Sequence, residues 1–244
     1  MISIIDGTYE WINLSLIDFL NEGNIPSGWY DFFLQDSTQK MLNRISTYLE
    51  DEAKRKIIYP PIHQVFRAFY IVPLDNIKAV IIGQDCYHNG NAVGLCFSVK
   101  PGNSINPSLR NIYKELKAEG FPCIEDGDLT FWAKQGVLML NMALTVEKGT
   151  AGSHSDIWEP FTRKLIKYIS EKRKHNIDWF LFGKDAHSVR NILTGGSTVH
   201  LTSHPSPFAA NKKCGEYPAF LGSGVFSKVS GIEWGKITSS KILL

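Results

Sequence analysis

The chain has 244 residues, enough for one large α/β domain or two small ones. Its apolar content of 43% is ample for a core, and no segment approaches the roughly 18 apolar residues a membrane span needs. Charge is close to balanced, 26 Lys and Arg against 24 Asp and Glu for a formal +2, so a nucleic-acid partner would have to be met by a local basic face.

The cysteines, Cys86, Cys96, Cys123 and Cys214, lack the C-x-x-C spacing of zinc ribbons and iron–sulfur sites. They are also too few for a disulfide framework in a chain this long. They read as reduced thiols of an intracellular protein, in a bacterial or virus-infected cytoplasm or in a nucleus. No metal and no cofactor is expected. Residues 1–7 have neither the basic start and apolar run of a signal peptide nor the Arg-rich character of a transit peptide.

Residues 10–55 read as helices with punctuation. Leu14, Ile17, Phe19 and Leu20 lie near helical spacing, and Met41, Leu42, Ile45 and Leu49 form a cleaner stripe. Tyr59-Pro60-Pro61 is a rigid turn before a helix over 64–69. The apolar run 79–82 predicts a buried strand, and it leads into Gly83-Gln84-Asp85-Cys86-Tyr87-His88. A glycine-bearing loop, 89–94, precedes residues 95–99. Pro107-Ser108 then opens a helix through Leu116. Further strand-like runs at 137–140, 179–182 and 198–202 lead into Asn141, Gly183 and Ser203-His204-Pro205-Ser206-Pro207. Residues 158–173 are amphipathic. Arg163, Lys164, Lys167, Lys172, Arg173 and Lys174 do not share one narrow stripe, so a solvated face is favoured over a DNA-facing one.

Strands separated by helices predict an α/β fold: a single domain with a central four-stranded parallel twisted sheet flanked by helices on both faces. Such sheets bind ligands beyond the carboxyl ends of their strands. Asp85, Asn141 and His204 would then converge on one cleft. Taken singly, each has an ordinary explanation: a helix cap, a turn-capping amide and a structural histidine. At one edge of one sheet they make a site. There, a carboxylate can act as a base or stabilise a cation, an amide can read a hydrogen-bonding edge, and His204 lies in a loop stiffened by Pro205 and Pro207 that aims its groups. The absence of G-x-S-x-G, of phosphate-binding glycine loops and of H-E-x-x-H removes support for serine hydrolases, nucleotide-binding enzymes and zincins.

These motifs resemble the family 1 uracil-DNA glycosylases. The family's G-Q-D-P-Y-H is similar to Gly83-Gln84-Asp85-Cys86-Tyr87-His88, with Cys86 in place of proline. G-L-x-F-S-V is matched at 94–99, P-S-L-x-N-x-Y-K-E-L at 107–116, W-A-x-Q-G-V-L-x-L-N-x-x-L-T-V at 132–146, and H-P-S-P at 204–207. The resemblance covers about 57–226, which implies one domain with a helical extension at 1–56 and a tail at 227–244. It implies hydrolysis of the N-glycosidic bond of uracil in single- and double-stranded DNA by a monomer, leaving an abasic site, with a replication or repair protein as a further partner. Asp85 would polarise the attacking water, and His204 would donate to uracil O2. Asn141 would read O4 and N3–H, Phe97 would stack on the base, Tyr87 would exclude a 5-methyl group and Gln84 would line the pocket. Pro107, Ser108, Gly183, Lys184 and Ser206 match loops that grip the phosphate backbone, and Phe208 falls where an apolar wedge enters the base stack; Lys212 and Lys213 could add phosphate contacts. Asn106, Lys184 and Ala209 depart from the family's residues in those loops. The rival expectation is a DNA-binding scaffold of the same fold with weak or lost turnover.

Overall fold

The computed structural model describes residues 11, 15–173, 177–194 and 196–235. Leu14, Lys174, residues 1–7 and the last nine residues of the expected tail lie outside the described residues.

Six strands are present among the described residues: β1 (Ile58–Tyr59), β2 (Ala79–Gly83), β3 (Val137–Asn141), β4 (Val146–Glu147), β5 (Asp178–Phe182) and β6 (Thr198–Thr202). The four longer ones form a parallel sheet in the order β3-β2-β5-β6. The expected strands are therefore borne out to within a residue at their ends. Every residue of β2 and β3 is buried, as parallel strands covered on both faces should be. The edge strand β6 is less covered, with Thr198 exposed and Val199 and Leu201 half-buried.

Side chains of β5 alternate between faces. Phe180 and Phe182 pack with Phe220, Phe226 and Trp234, at ring-centroid distances of 5.1–6.4 Å. A second aromatic group joins Phe32 and Phe33 to Phe66, Phe69, Trp158 and Phe161. It ties the N-terminal helices to the helix Ser155–Lys172. Leu42, Ile45 and Leu49 of the helix Asp36–Ala53 are buried in the same core cluster as the strands, as are Val229 and Trp234 near the C-terminus. Arg163, Lys164, Lys167 and Arg173 are dispersed among separate partners: Glu159, Thr38, Glu171 and the Ile77 carbonyl respectively.

Two local features differ from expectation. The helix over 64–69 is replaced by a 3-10 turn, Ile62–Gln64, and a short helix, Arg67–Ile71, because Phe66 (φ −103°, ψ 20°) breaks the run. A small antiparallel pair, β1 with β4, was not anticipated; strands of two residues carry no periodicity to read. This pair has a positional effect. Together with the Lys148 N–H bond to Ile57 O (2.8 Å) and the Gly149 N–H bond to His88 O (2.9 Å), it holds the loop after β4 against the loop after β2.

From β2 the chain passes to β3 on one side, then returns to β5 on the other. The point where strand order reverses, between β2 and β5, is where such sheets open a crevice.

Candidate active site

A cavity of about 340 Å³ lies beyond the strand ends. That is near the lower end of the ~300–1,000 Å³ usual for small-molecule sites. Gln84, Asp85, Cys86 and Tyr87, following β2, line it together with Asn141 at the end of β3 and His204 after β6. Phe97, Ser108, Ser206 and Phe208 complete the relevant wall.

Asp85 is partly buried, and its Oδ2 accepts the Gly152 N–H at 2.6 Å. Burial raises its pKa; the Gly152 bond and the nearby His88 pull the other way without cancelling it. The second oxygen is not used in that bond. Asp85 is thus a carboxylate of increased basicity, aimed by a backbone donor on the loop that β1 and β4 hold in place.

Asn141 is 8% exposed and sits opposite Gly83 in the β2–β3 register. A Cβ at position 83 would press on Asn141 Oδ1, so a larger residue there would displace the carboxamide. The Asn141 Nδ2 atom donates to Cys86 Sγ at 3.4 Å.

Residues 95–99 form an irregular segment in which Phe97 adopts φ +62°, a left-handed conformation that a non-glycine residue reaches only at a cost of ~1–3 kcal/mol. That backbone sets the Phe97 ring 5.8 Å from His204 and 6.2 Å from Phe182. Tyr87 Oη donates to the Phe97 carbonyl at 3.2 Å, linking the two aromatic walls.

His204 is oriented by its own loop. The Ser206 N–H donates to Nδ1 at 3.0 Å. Nδ1 therefore presents a lone pair, and the proton of the neutral ring resides on Nε2. Burial lowers the His204 pKa, outweighing the opposite pull of Asp185. The loop is further held by Asn111 Nδ2 to Pro205 O (2.8 Å), Ser203 Oγ to Ala209 O (3.0 Å) and Ala210 N–H to Ser206 O (2.8 Å). Gly183 at φ +89° lies so near that an added Cβ would stand 2.8 Å from His204 Cβ.

The family model of the uracil DNA glycosylase superfamily matches residues 69–221. The chain is 41% identical over 211 residues to the uracil-DNA glycosylase of Azotobacter vinelandii, covering 84% of this chain and 88% of the relative. It is 43% identical over 210 residues to that of Psychromonas ingrahamii, covering 84% and 94%. The crystal structure of mimivirus uracil-DNA glycosylase superposes with a TM-score of 0.77 at 27% identity, covering 93% of this chain and 91% of that one. The chain belongs to the uracil DNA glycosylase superfamily.

In this superfamily member all the residues singled out for base recognition and catalysis line one cavity: Gln84, Asp85, Tyr87, Phe97, Asn141 and His204. Of the residues expected to contact DNA, Ser108, Ser206 and Phe208 border the same cavity, and Phe208 is 86% exposed. Gly183 packs on His204, while Pro107 begins the helix Pro107–Ala118 and Lys184 the helix Lys184–His187, both exposed. Lys212 and Lys213 are exposed as well. Sequence reasoning missed the Gly152 donor to Asp85 and the Ser206 donor to His204. Both act through main-chain N–H groups, which every residue but proline carries, so residue type gave no signal.

Proposed function

We propose that this chain is a family 1 enzyme that hydrolyses the N-glycosidic bond of uracil in DNA, releasing the free base and leaving an abasic site. The observation that carries the reading is the Asp85, Asn141 and His204 constellation around one cavity of nucleobase scale. The target base is inaccessible in a duplex, so it is flipped into the cavity. Phe97 stacks on it, and Asn141 pairs with O4 and N3–H. Cytosine presents the reverse pattern of donors and acceptors and leaves those groups unpaired, at about 1–3 kcal/mol each. Tyr87 occupies the space a 5-methyl group would need, so thymine is refused.

As the bond from C1′ to N1 breaks, its electron pair passes to the base and positive charge develops on the sugar. The Asp85 carboxylate stabilises that charge and orients a water whose oxygen bonds to C1′, with its proton passing to the carboxylate. Negative charge on uracil O2 meets the Nε2–H of a neutral His204, a donor fixed beforehand by the Ser206 bond. Ser108, Gly183, Lys184 and Ser206 face the phosphates, and Phe208 enters the vacated stack.

The test is release of free uracil from single- and double-stranded oligonucleotides containing deoxyuridine. Release with accumulation of abasic DNA supports the reading. DNA binding without release at high protein concentration would replace it with the scaffold.

A further inference from the structure

Cys86 stands where the family motif has proline, and the exchange puts a thiol beside Asn141. Cys86 is 6% exposed. Its Sγ lies 3.5 Å from the Ala143 carbonyl oxygen, as donor, and 3.4 Å from Asn141 Nδ2, as acceptor. Burial pushes the thiol pKa up to about 12, so the sulfur keeps its hydrogen at neutral pH.

A thiol has one hydrogen to give. Once it is directed at the Ala143 carbonyl, only sulfur lone pairs face Asn141. The atom of Asn141 turned towards Cys86 is then the donor Nδ2, and Oδ1 takes the other side, over Gly83. This matters because an amide flipped by half a turn exchanges donor and acceptor. In one orientation Asn141 complements the O4 acceptor and N3–H donor of uracil; in the other it complements cytosine.

We propose that Cys86 is a positioning residue which fixes the orientation of the Asn141 carboxamide and so sets the preference for uracil over cytosine. The proposal rests on the reading of Asn141 as the base-recognition residue. One Nδ2 hydrogen goes to sulfur, leaving the other for uracil O4. Proline at this position offers no side-chain acceptor, so the thiol relay from Asn141 through Cys86 to Ala143 is an arrangement of this chain.

The experiment compares wild type, Cys86→Ala and Cys86→Ser. It measures kcat and KM for uracil release from single-stranded DNA, inhibition by free uracil and by free cytosine, and the thermal midpoint. Cys86→Ala should lose about three- to tenfold in kcat/KM, the scale of one hydrogen bond. Its preference for free uracil over free cytosine should narrow. Cys86→Ser should restore most of both, because a hydroxyl also donates once and accepts. Unchanged kcat/KM and unchanged preference in Cys86→Ala would overturn the proposal. So would equal losses in both variants with preference intact, which would make the thiol a space-filling group. Wild type that releases no uracil would remove the functional reading and this proposal together; active wild type with an indifferent alanine variant removes this one alone.

Discussion

The backbone N–H of Ser206 donates to Nδ1 of His204 across a single proline, at 3.0 Å. A loop with Pro205 and Pro207 on either side of Ser206 has little freedom to lose, so the donor and the ring are held together before any ligand arrives.

That relationship bears on pH dependence. On the proposed roles, Asp85 must be ionised and His204 neutral. The folded Asp85 pKa is raised from its ordinary 3.8, and the folded His204 pKa is lowered from its ordinary 6.5. Asp85 therefore loses its charge at a higher pH than an ordinary aspartate, while His204 keeps its neutral form to a lower pH than an ordinary imidazole. A plot of kcat/KM against pH should fall on its acid side, and an NMR titration of the His204 ring should place its midpoint below 6.5. A ring midpoint at or above 6.5 would contradict the burial of His204.

Asp85→Asn should keep DNA affinity and lose about 10²- to 10⁴-fold in turnover. The amide oxygen can still accept the Gly152 N–H, so the loop is retained while the charge is removed. Fluorescence anisotropy with an oligonucleotide and single-turnover release separate the two effects. Near-normal rates would exclude Asp85 as the water-activating group.

Tyr87→Ala should admit thymine. The Tyr87 hydroxyl also supports the Phe97 carbonyl, so Tyr87→Phe is the control: it keeps the ring and removes only that bond. Thymine release by the alanine variant and not by the phenylalanine variant is the expected pattern. Release by neither would mean that another wall excludes the methyl group.

Phe208→Ala should leave stability unchanged, since a side chain 86% exposed has little burial to lose. Uracil release from duplex DNA should fall more than release from single strands, because only the duplex has a stack to fill. Equal effects on both substrates would deny the wedge role.

His154 supplies a stability prediction away from the cavity. Trp158 Nε1 donates to Thr145 Oγ1 at 2.7 Å, and Thr145 Oγ1 shares a hydrogen bond with His154 Nδ1 at 2.8 Å. Burial, above all, lowers the His154 pKa to about 4. Below pH 6.5 the unfolded chain takes up a proton that the folded chain refuses, so stability drains away as pH falls from 6.5 towards 4. The loss from this residue should be about 2–3 kcal/mol, measured by denaturant titration against His154→Asn. A variant with the same pH slope as wild type would rule it out.

The legible part of the fold was the part with a period. β2, β3 and β5 are dense apolar runs with polar stops, β6 alternates polar and apolar residues, and Pro107 fixes where its helix begins. Residues 62–71 and the β1–β4 pair were not legible, because a kink at Phe66 and two-residue strands are set by tertiary contacts. In the site, Asp85, Asn141 and His204 could be chosen from their side-chain chemistry and their positions after strands. Gly152 and Ser206 could not, since their contribution is an amide hydrogen. The part played by Cys86 was hidden as well: next to Asp85 in sequence, it points its sulfur at Asn141, 55 residues further on.

The sheet order carries a consequence for how activity fails. His204 hangs from β6, the less covered of the sheet's two edge strands, whereas Asn141 ends the fully buried edge strand β3 and Asp85 follows the interior strand β2. Fraying of that margin would carry off the imidazole while leaving the rest of the molecule folded. Catalytic inactivation on warming should therefore precede bulk melting, and amide exchange along 198–202 is the place where the early loss would register.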